Sequence, residues 1–302
     1  MKVAIYLIIH ILFSLGMFIS LKLISEKRAD RTLSILVNYV IASILTYADL
    51  ELSYIDWWFS AKLIFPAVIV ALLFVVTFFI MSLSAEKAGI GITTALNKMS
   101  VLIPVVVGII FLGQDSDLLF KLGGLFLSII AFAFIFHNNA VEKAKGYFVL
   151  PVMVFVLSGF IDTSMELSHK FYVEQEYERE VFLLALFLFA IFFSFLALLI
   201  QGIFYSKNDA GERKYKGTLK DKWIPVLKYG SLLGIFNFLT SKMILVNVGA
   251  LGGSFVYPIH NSSVVVLTAL TGFLFFRERL SARQWFGLVL AAAGVSLIAS
   301  AI

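Results

Sequence analysis

The chain has no cysteine. That excludes disulfides, thiol catalysis and thiolate metal sites, and it leaves the redox compartment open. Charge is scarce: Asp, Glu, Lys and Arg make up 14% of the 302 residues, against about 25% in soluble domains. No Gly-x-x-x-x-Gly-Lys-Ser/Thr loop occurs, which argues against ATP-driven pumping by this chain alone. No enzyme motif stands out. Ser168 and His169 adjoin, but neighbours on a helix point to different faces.

What fills the chain is apolar. The hydrophobic fraction is 61%, with 31 Phe and a mean hydropathy of +0.98, where soluble domains have roughly 45–50% apolar residues. A soluble globule of this size cannot hide so much apolar surface, whereas a bilayer lets apolar side chains face outward. The net charge of +5 and pI near 9.2 read as topology signals and lipid-headgroup contacts rather than nucleic-acid binding. The apolar run Val3 to Ile24 is too long for a signal-peptide core and reads as a first span.

A spanning helix needs about 20 apolar residues, and ten segments meet or approach this: 3–24, 33–50, 63–84, 91–112, 120–137, 148–169, 181–204, 225–247, 252–276 and 284–301. The expected fold class is therefore an all-α membrane protein of ten transmembrane helices. The chain also repeats itself. Shifting GIGITTALNKMSVLIPVVVGIIFLGQDSDLLFKLGGLFLSIIAF by 164 residues sets it on GSFVYPIHNSSVVVLTALTGFLFFRERLSARQWFGLVLAAAGVS. Gly89 falls on Gly253, Asn97 on Asn261, Phe111 on Phe275, Gln114 on Glu278 and Gly123 on Gly287. A weaker echo sets Ser14-Leu15-Gly16 beside Leu157-Ser158-Gly159. The expected units are 1–137 and 148–302, joined by a connecting loop, 138–147. Five spans per unit is an odd number, so the second unit enters the membrane inverted. Inverted repeats build a midplane site that can open to either side in turn.

These residues resemble the drug/metabolite transporter superfamily, in its EamA-like type with two five-span halves. The resemblance rests on Pro104 through Gly124, with FLGQ and KLGGLFLSIIAF, and on FLFFRERLSARQWFGLVLAAAG at 273–294, where Glu278 holds the family's usual acidic position after the ninth span. Ser14-Leu15-Gly16 followed by Lys22 resembles the first-helix pattern without its usual Trp, and Gln114 stands where Glu is expected. The resemblance implies a transport role and a cavity lined by spans 1, 3, 4, 6, 8 and 9. It also implies cytoplasmic termini. The basic residues point the other way: loops after the odd-numbered spans hold sixteen Lys and Arg, against five on the opposite side, which puts the sixteen in the cytoplasm and both termini outside.

Polar groups inside a bilayer are costly and usually have a partner or a task. Lys98 lies about 13 Å into its span, at 1.5 Å per residue. It suits either an anionic solute group or a protein acid. Asn97 adjoins it and is matched by Asn261. Asp162 and Glu166 share a face of the sixth span. Asp162 suits a proton or an amine, while Glu166 reads as an interfacial residue beside Lys170. Lys242, at similar depth, is an alternative partner for Asp162. His10 and His260 can titrate during transport or simply hydrogen-bond within the packing. Glu166 and His169 have a metal-site spacing but lack the second such pair that helix-bundle sites need. Pro104 and Pro258 are expected to kink their spans, and Gly230 with Gly234 to allow close helix packing.

The expected site is therefore His10, Asn97, Lys98, Asp162, Lys242, His260 and Asn261, with no metal and no cofactor. The expected function is secondary transport of a small polar metabolite, such as an amino acid or related compound, by alternating access. The acid, base and amide together suit a zwitterion, and Asp162 with the histidines suggests protons as coupling ion. The expected setting is multi-pass in a bacterial inner (plasma) membrane, with membrane lipid as partner. The rivals are a membrane-embedded enzyme or lipid-headgroup-handling protein, and a non-transporting scaffold or sensor.

Overall fold

The computed structural model describes residues 2–50, 61–111, 117–136, 149–172, 176–208, 219–251 and 253–300. Every regular element among them is an α-helix: α1 (Lys2–Glu26), α2 (Arg31–Asp49), α3 (Ala61–Lys87), α4 (Ile90–Met99), α5 (Leu102–Phe111), α6 (Leu118–Phe136), α7 (Val149–Phe171), α8 (Glu176–Asn208), α9 (Leu219–Leu251), α10 (Gly253–Phe275) and α11 (Ala282–Ala299). The connecting loop at 138–147 and Gln114 lie outside the described residues.

Among the described residues, six stretches are long and apolar enough to cross a membrane: Ile5–Glu26, Arg31–Asp49, Lys62–Lys87, Ile90–Val107, Leu118–Ile135 and Tyr177–Gln201. Val149–Met165, His260–Phe275 and Ala282–Ile298 are shorter apolar helical stretches. Large apolar side chains recur on the outside at helical spacing, as at Ile5, Ile8 and Leu12 of α1 and at Leu119, Leu122, Phe126 and Ile129 of α6. Water would penalise such stripes, and hydrocarbon does not. The chain is an all-helical integral membrane protein.

Nine of the ten apolar segments expected from sequence fall on single helices. The tenth, 91–112, is two helices, α4 and α5, because the helix breaks at Ser100 and Val101. Pro104 explains the break. Its ring has no N–H for the carbonyl four residues earlier, at Ser100, and clashes with it. The chain tightens there instead: the Ser100 N–H donates to the Asn97 carbonyl at 3.3 Å and the Ile103 N–H to the Ser100 carbonyl at 2.9 Å. Pro258 does not have this effect, since it lies within continuous α10.

The helices pack in a regular pattern. α6 runs along α11, α9 covers α1 and α2, and α3 contacts α7 and α8. α2 meets α8, α4 meets α10, α1 meets α10, and α7 meets α4 and α5. Small residues set the closest crossings. A methyl group on Gly234 of α9 would lie 2.6 Å from the Asn38 carbonyl oxygen of α2, and one on Gly230 2.8 Å from that of Ser34. The Gly-x-x-x-Gly spacing is thus a packing surface.

Candidate functional site

The break between α4 and α5 gathers polar groups in mid-bundle. Ser100, at the break, donates its hydroxyl to the Asn97 carbonyl at 2.5 Å and lies 2.9 Å from an Asp162 carboxylate oxygen of α7. Asn97 donates its amide to the Ser158 hydroxyl, one turn from Asp162, at 2.8 Å. Two hydrogen bonds therefore tie the end of α4 to one stripe of α7.

Asp162 faces inward. The outward stripe of α7 is Val149, Met153, Val156 and Phe160, all exposed and apolar. Asp162 is on the other side, one turn from the buried Ser158 and next to the buried Ile161. A carboxylate on the inward stripe faces the interior of the bundle rather than lipid.

Lys98 is half-buried, one residue before Met99 closes α4. It lies within electrostatic range of Asp162, His10 and His260. Among the described residues its ammonium has no hydrogen bond and no ion pair within 4.0 Å. The acid and the base thus face one another without closing into a salt bridge.

The two histidines complete the cluster. The rings of His10 in α1 and His260 in α10 stack at 3.9 Å between centroids, 13° from parallel. His260 is held at both nitrogens, with Nε2 2.8 Å from the Ser14 hydroxyl and Nδ1 3.1 Å from the Asn261 side-chain oxygen. His10 is 1% exposed, and neither of its ring nitrogens has a hydrogen-bond partner among the described residues.

Six of the seven expected residues, His10, Asn97, Lys98, Asp162, His260 and Asn261, are therefore brought into one region where α1, α4, α7 and α10 meet. Lys242 is not joined to them. It forms an ion pair with Asp49 at the end of α2, which corrects its expected pairing with Asp162. An ammonium on α9 is drawn to the nearest carboxylate it can reach at a partly exposed helix end, where both groups keep water. The side chains of Glu166, His169 and Lys170 lie outside the described residues.

Sequence reasoning passed over the hydroxyls. Ser14, Ser100 and Ser158 anchor His260, Asp162 and Asn97, and the signal was there in part: Ser100 stands four residues before Pro104, where a proline leaves a helix carbonyl without its usual donor. No group of three or more His, Asp or Glu able to hold a metal occurs among the described residues. In comparison with known proteins, the chain matches no family model and no curated protein.

Proposed function

We propose that the chain is a secondary transporter that moves a small polar metabolite across the membrane by alternating access. One observation carries this reading. Lys98 and Asp162 are groups of opposite charge type in mid-bundle that face one another without closing into an ion pair. A scaffold would pair such groups, because an unpaired ion in a membrane interior costs several kcal/mol or more. A solute carrying complementary charge would satisfy both.

The reading includes a ten-span architecture in two inverted halves, 1–137 and 148–302, of the EamA-like kind within the drug/metabolite transporters. The packing supports it. Taking α4 and α5 as one rod, exchange of the halves turns α1 on α9 into α7 on α3, α2 on α9 into α8 on α3, and α1 on α10 into α7 on α4, all of which occur. The contacts α2 with α8, α4 with α10 and α6 with α11 map onto themselves. The polar cluster follows the same exchange. Ser14 of the first helix reaches α10, beside Asn261, while Ser158 of the sixth rod reaches Asn97 on α4, and these two asparagines are the pair the repeat aligns. A site at such a crossing is where rocking halves would expose it alternately. On the charge count, the end bearing Lys22, Arg31 and Glu278 is cytoplasmic, and protons are the proposed coupling ion.

The test is uptake by the purified chain in liposomes, screened with labelled amino acids, amines, carboxylates and sugars. At least one solute should enter at a saturable rate above that of protein-free liposomes. If every solute enters at the protein-free rate, with and without an imposed pH gradient, the transport reading fails.

A further inference from the structure

We infer that Lys22, Glu278 and the N-terminus of α4 form a latch that holds one end of the bundle shut and must part before the central site can open to that end. The inference rests on the transport reading above and supplies it with a gate.

Three elements converge on Glu278. Arg277 takes a left-handed backbone conformation, φ 55°, so the chain doubles back after α10 and the Glu278 N–H donates to the Gly272 carbonyl at 2.9 Å. That turn aims the carboxylate at α4. There both oxygens accept from the Ile90 N–H, at 2.9 and 3.0 Å. A carboxylate at a helix N-terminus satisfies a free N–H and the positive end of the helix dipole. Gly89 makes the approach possible, for its φ is 97° and any Cβ there would lie 2.8 Å from a Glu278 oxygen.

From α1, the Lys22 ammonium lies 3.0 Å from the same carboxylate and donates to the Ala85 carbonyl of α3 at 2.8 Å. It also lies 3.8 Å from Glu26 and 5.8 Å from the centre of the Phe276 ring. Its side chain is 6% exposed and that of Glu278 12%. Beside them Arg31 of α2 pairs with Glu86 of α3 at 2.5 Å and donates to the Ser82 hydroxyl at 3.1 Å. Helices α1 to α4 and the turn after α10 are thus joined at one end of the bundle by buried and partly buried charge. Between it and the central cluster Leu21, Phe18 and Thr94 are fully buried.

The repeat does not copy this ion pair at the other end, where the described pairs, Lys62–Glu178 and Lys242–Asp49, join other helices. The repeat sets Gln114 against Glu278, and the Gly16–Gly159 echo sets Met165 against Lys22. Two halves that share a fold but not this pair would favour one closed end, which gives the bundle a resting state. Breaking the pair biases the equilibrium toward the state with this end open.

The absence of cysteine supplies the assay. Thr94 is buried one turn from Lys98 on the latch side, and its hydroxyl has no hydrogen-bond partner among the described residues. Thr94→Cys therefore reports on this end. In purified protein a water-soluble maleimide should label T94C slowly. Adding Lys22→Gln or Glu278→Gln should speed labelling about tenfold, the factor expected if the closed state loses ~1.4 kcal/mol. Lys22→Gln leaves the Glu278–Ile90 cap in place, so it serves if Glu278→Gln does not fold. A second reporter, Thr77→Cys, buried on α3, should stay unlabelled in each variant. Folded Lys22→Gln protein that labels T94C at the parental rate overturns the latch, as does equal acceleration at T77C, which would mean general loosening. Labelling needs no solute, so either result leaves the liposome test of transport untouched.

Discussion

The least settled residue in the site is His10. It spends one face on a stack with His260 and leaves two buried ring nitrogens unbonded among the described residues. An unsatisfied buried polar group costs about 1–3 kcal/mol, so a side chain retained in that condition weakens the resting protein. Phe keeps a flat ring for the stack and removes both nitrogens. His10→Phe should therefore hold or raise thermal stability, by about 1 kcal/mol, while lowering uptake of any solute the parent carries. A fall in unfolding midpoint together with parental uptake would make His10 a packing residue instead. His260 is different in kind, since Ser14 and Asn261 occupy both of its nitrogens.

At the scale of helices, the α2–α9 crossing is set by backbone approach. Ser34, Val37, Asn38 and Ile41 of α2 lie where a side chain on Gly230 or Gly234 would go. Gly234→Leu should cost about 1–3 kcal/mol through overpacking, read as a lower unfolding midpoint in detergent, and an unchanged midpoint would mean that the helices do not cross this closely. This element was legible in sequence as Gly-x-x-x-Gly spacing. So were the apolar rods, because a bilayer imposes length and composition on each segment independently of its neighbours. The α4–α5 break was half legible: Pro104 marks a disruption, but whether a proline kinks a helix or divides it depends on what receives the freed carbonyls, here the Ser100 N–H and hydroxyl for Asn97 and the Ile103 N–H for Ser100. Pro258 sits inside continuous α10 for lack of any such division. Lys242 was misread for a related reason. Depth along a helix is readable from residue number, but which carboxylate shares its azimuth is a tertiary fact, and Asp49 rather than Asp162 proved to be the partner. Glu278 and Lys22 stood out only as motif residues, since a contact spanning 256 positions, from 22 to 278, leaves no local trace.

For the whole molecule, the polar cluster sits where α1, α4, α7 and α10 meet, which is where the proposed exchange of halves would place a site. The charges then divide by role. Lys22 and Glu278 are closed on each other at one end, Lys242 and Asp49 form a pair at the other, and Lys98 with Asp162 remains unclosed in between. That arrangement fits the proposed carrier, with stabilising pairs at the ends and an unclosed pair between them. The most direct test compares the parent with Lys98→Gln, measuring uptake and thermal unfolding on the same preparations. Gln keeps hydrogen-bond donors and much of the length, so the main loss is charge. The account predicts that uptake is abolished while folded protein persists in the membrane. A Lys98→Gln protein that transports at the parental rate would contradict it, whatever its stability.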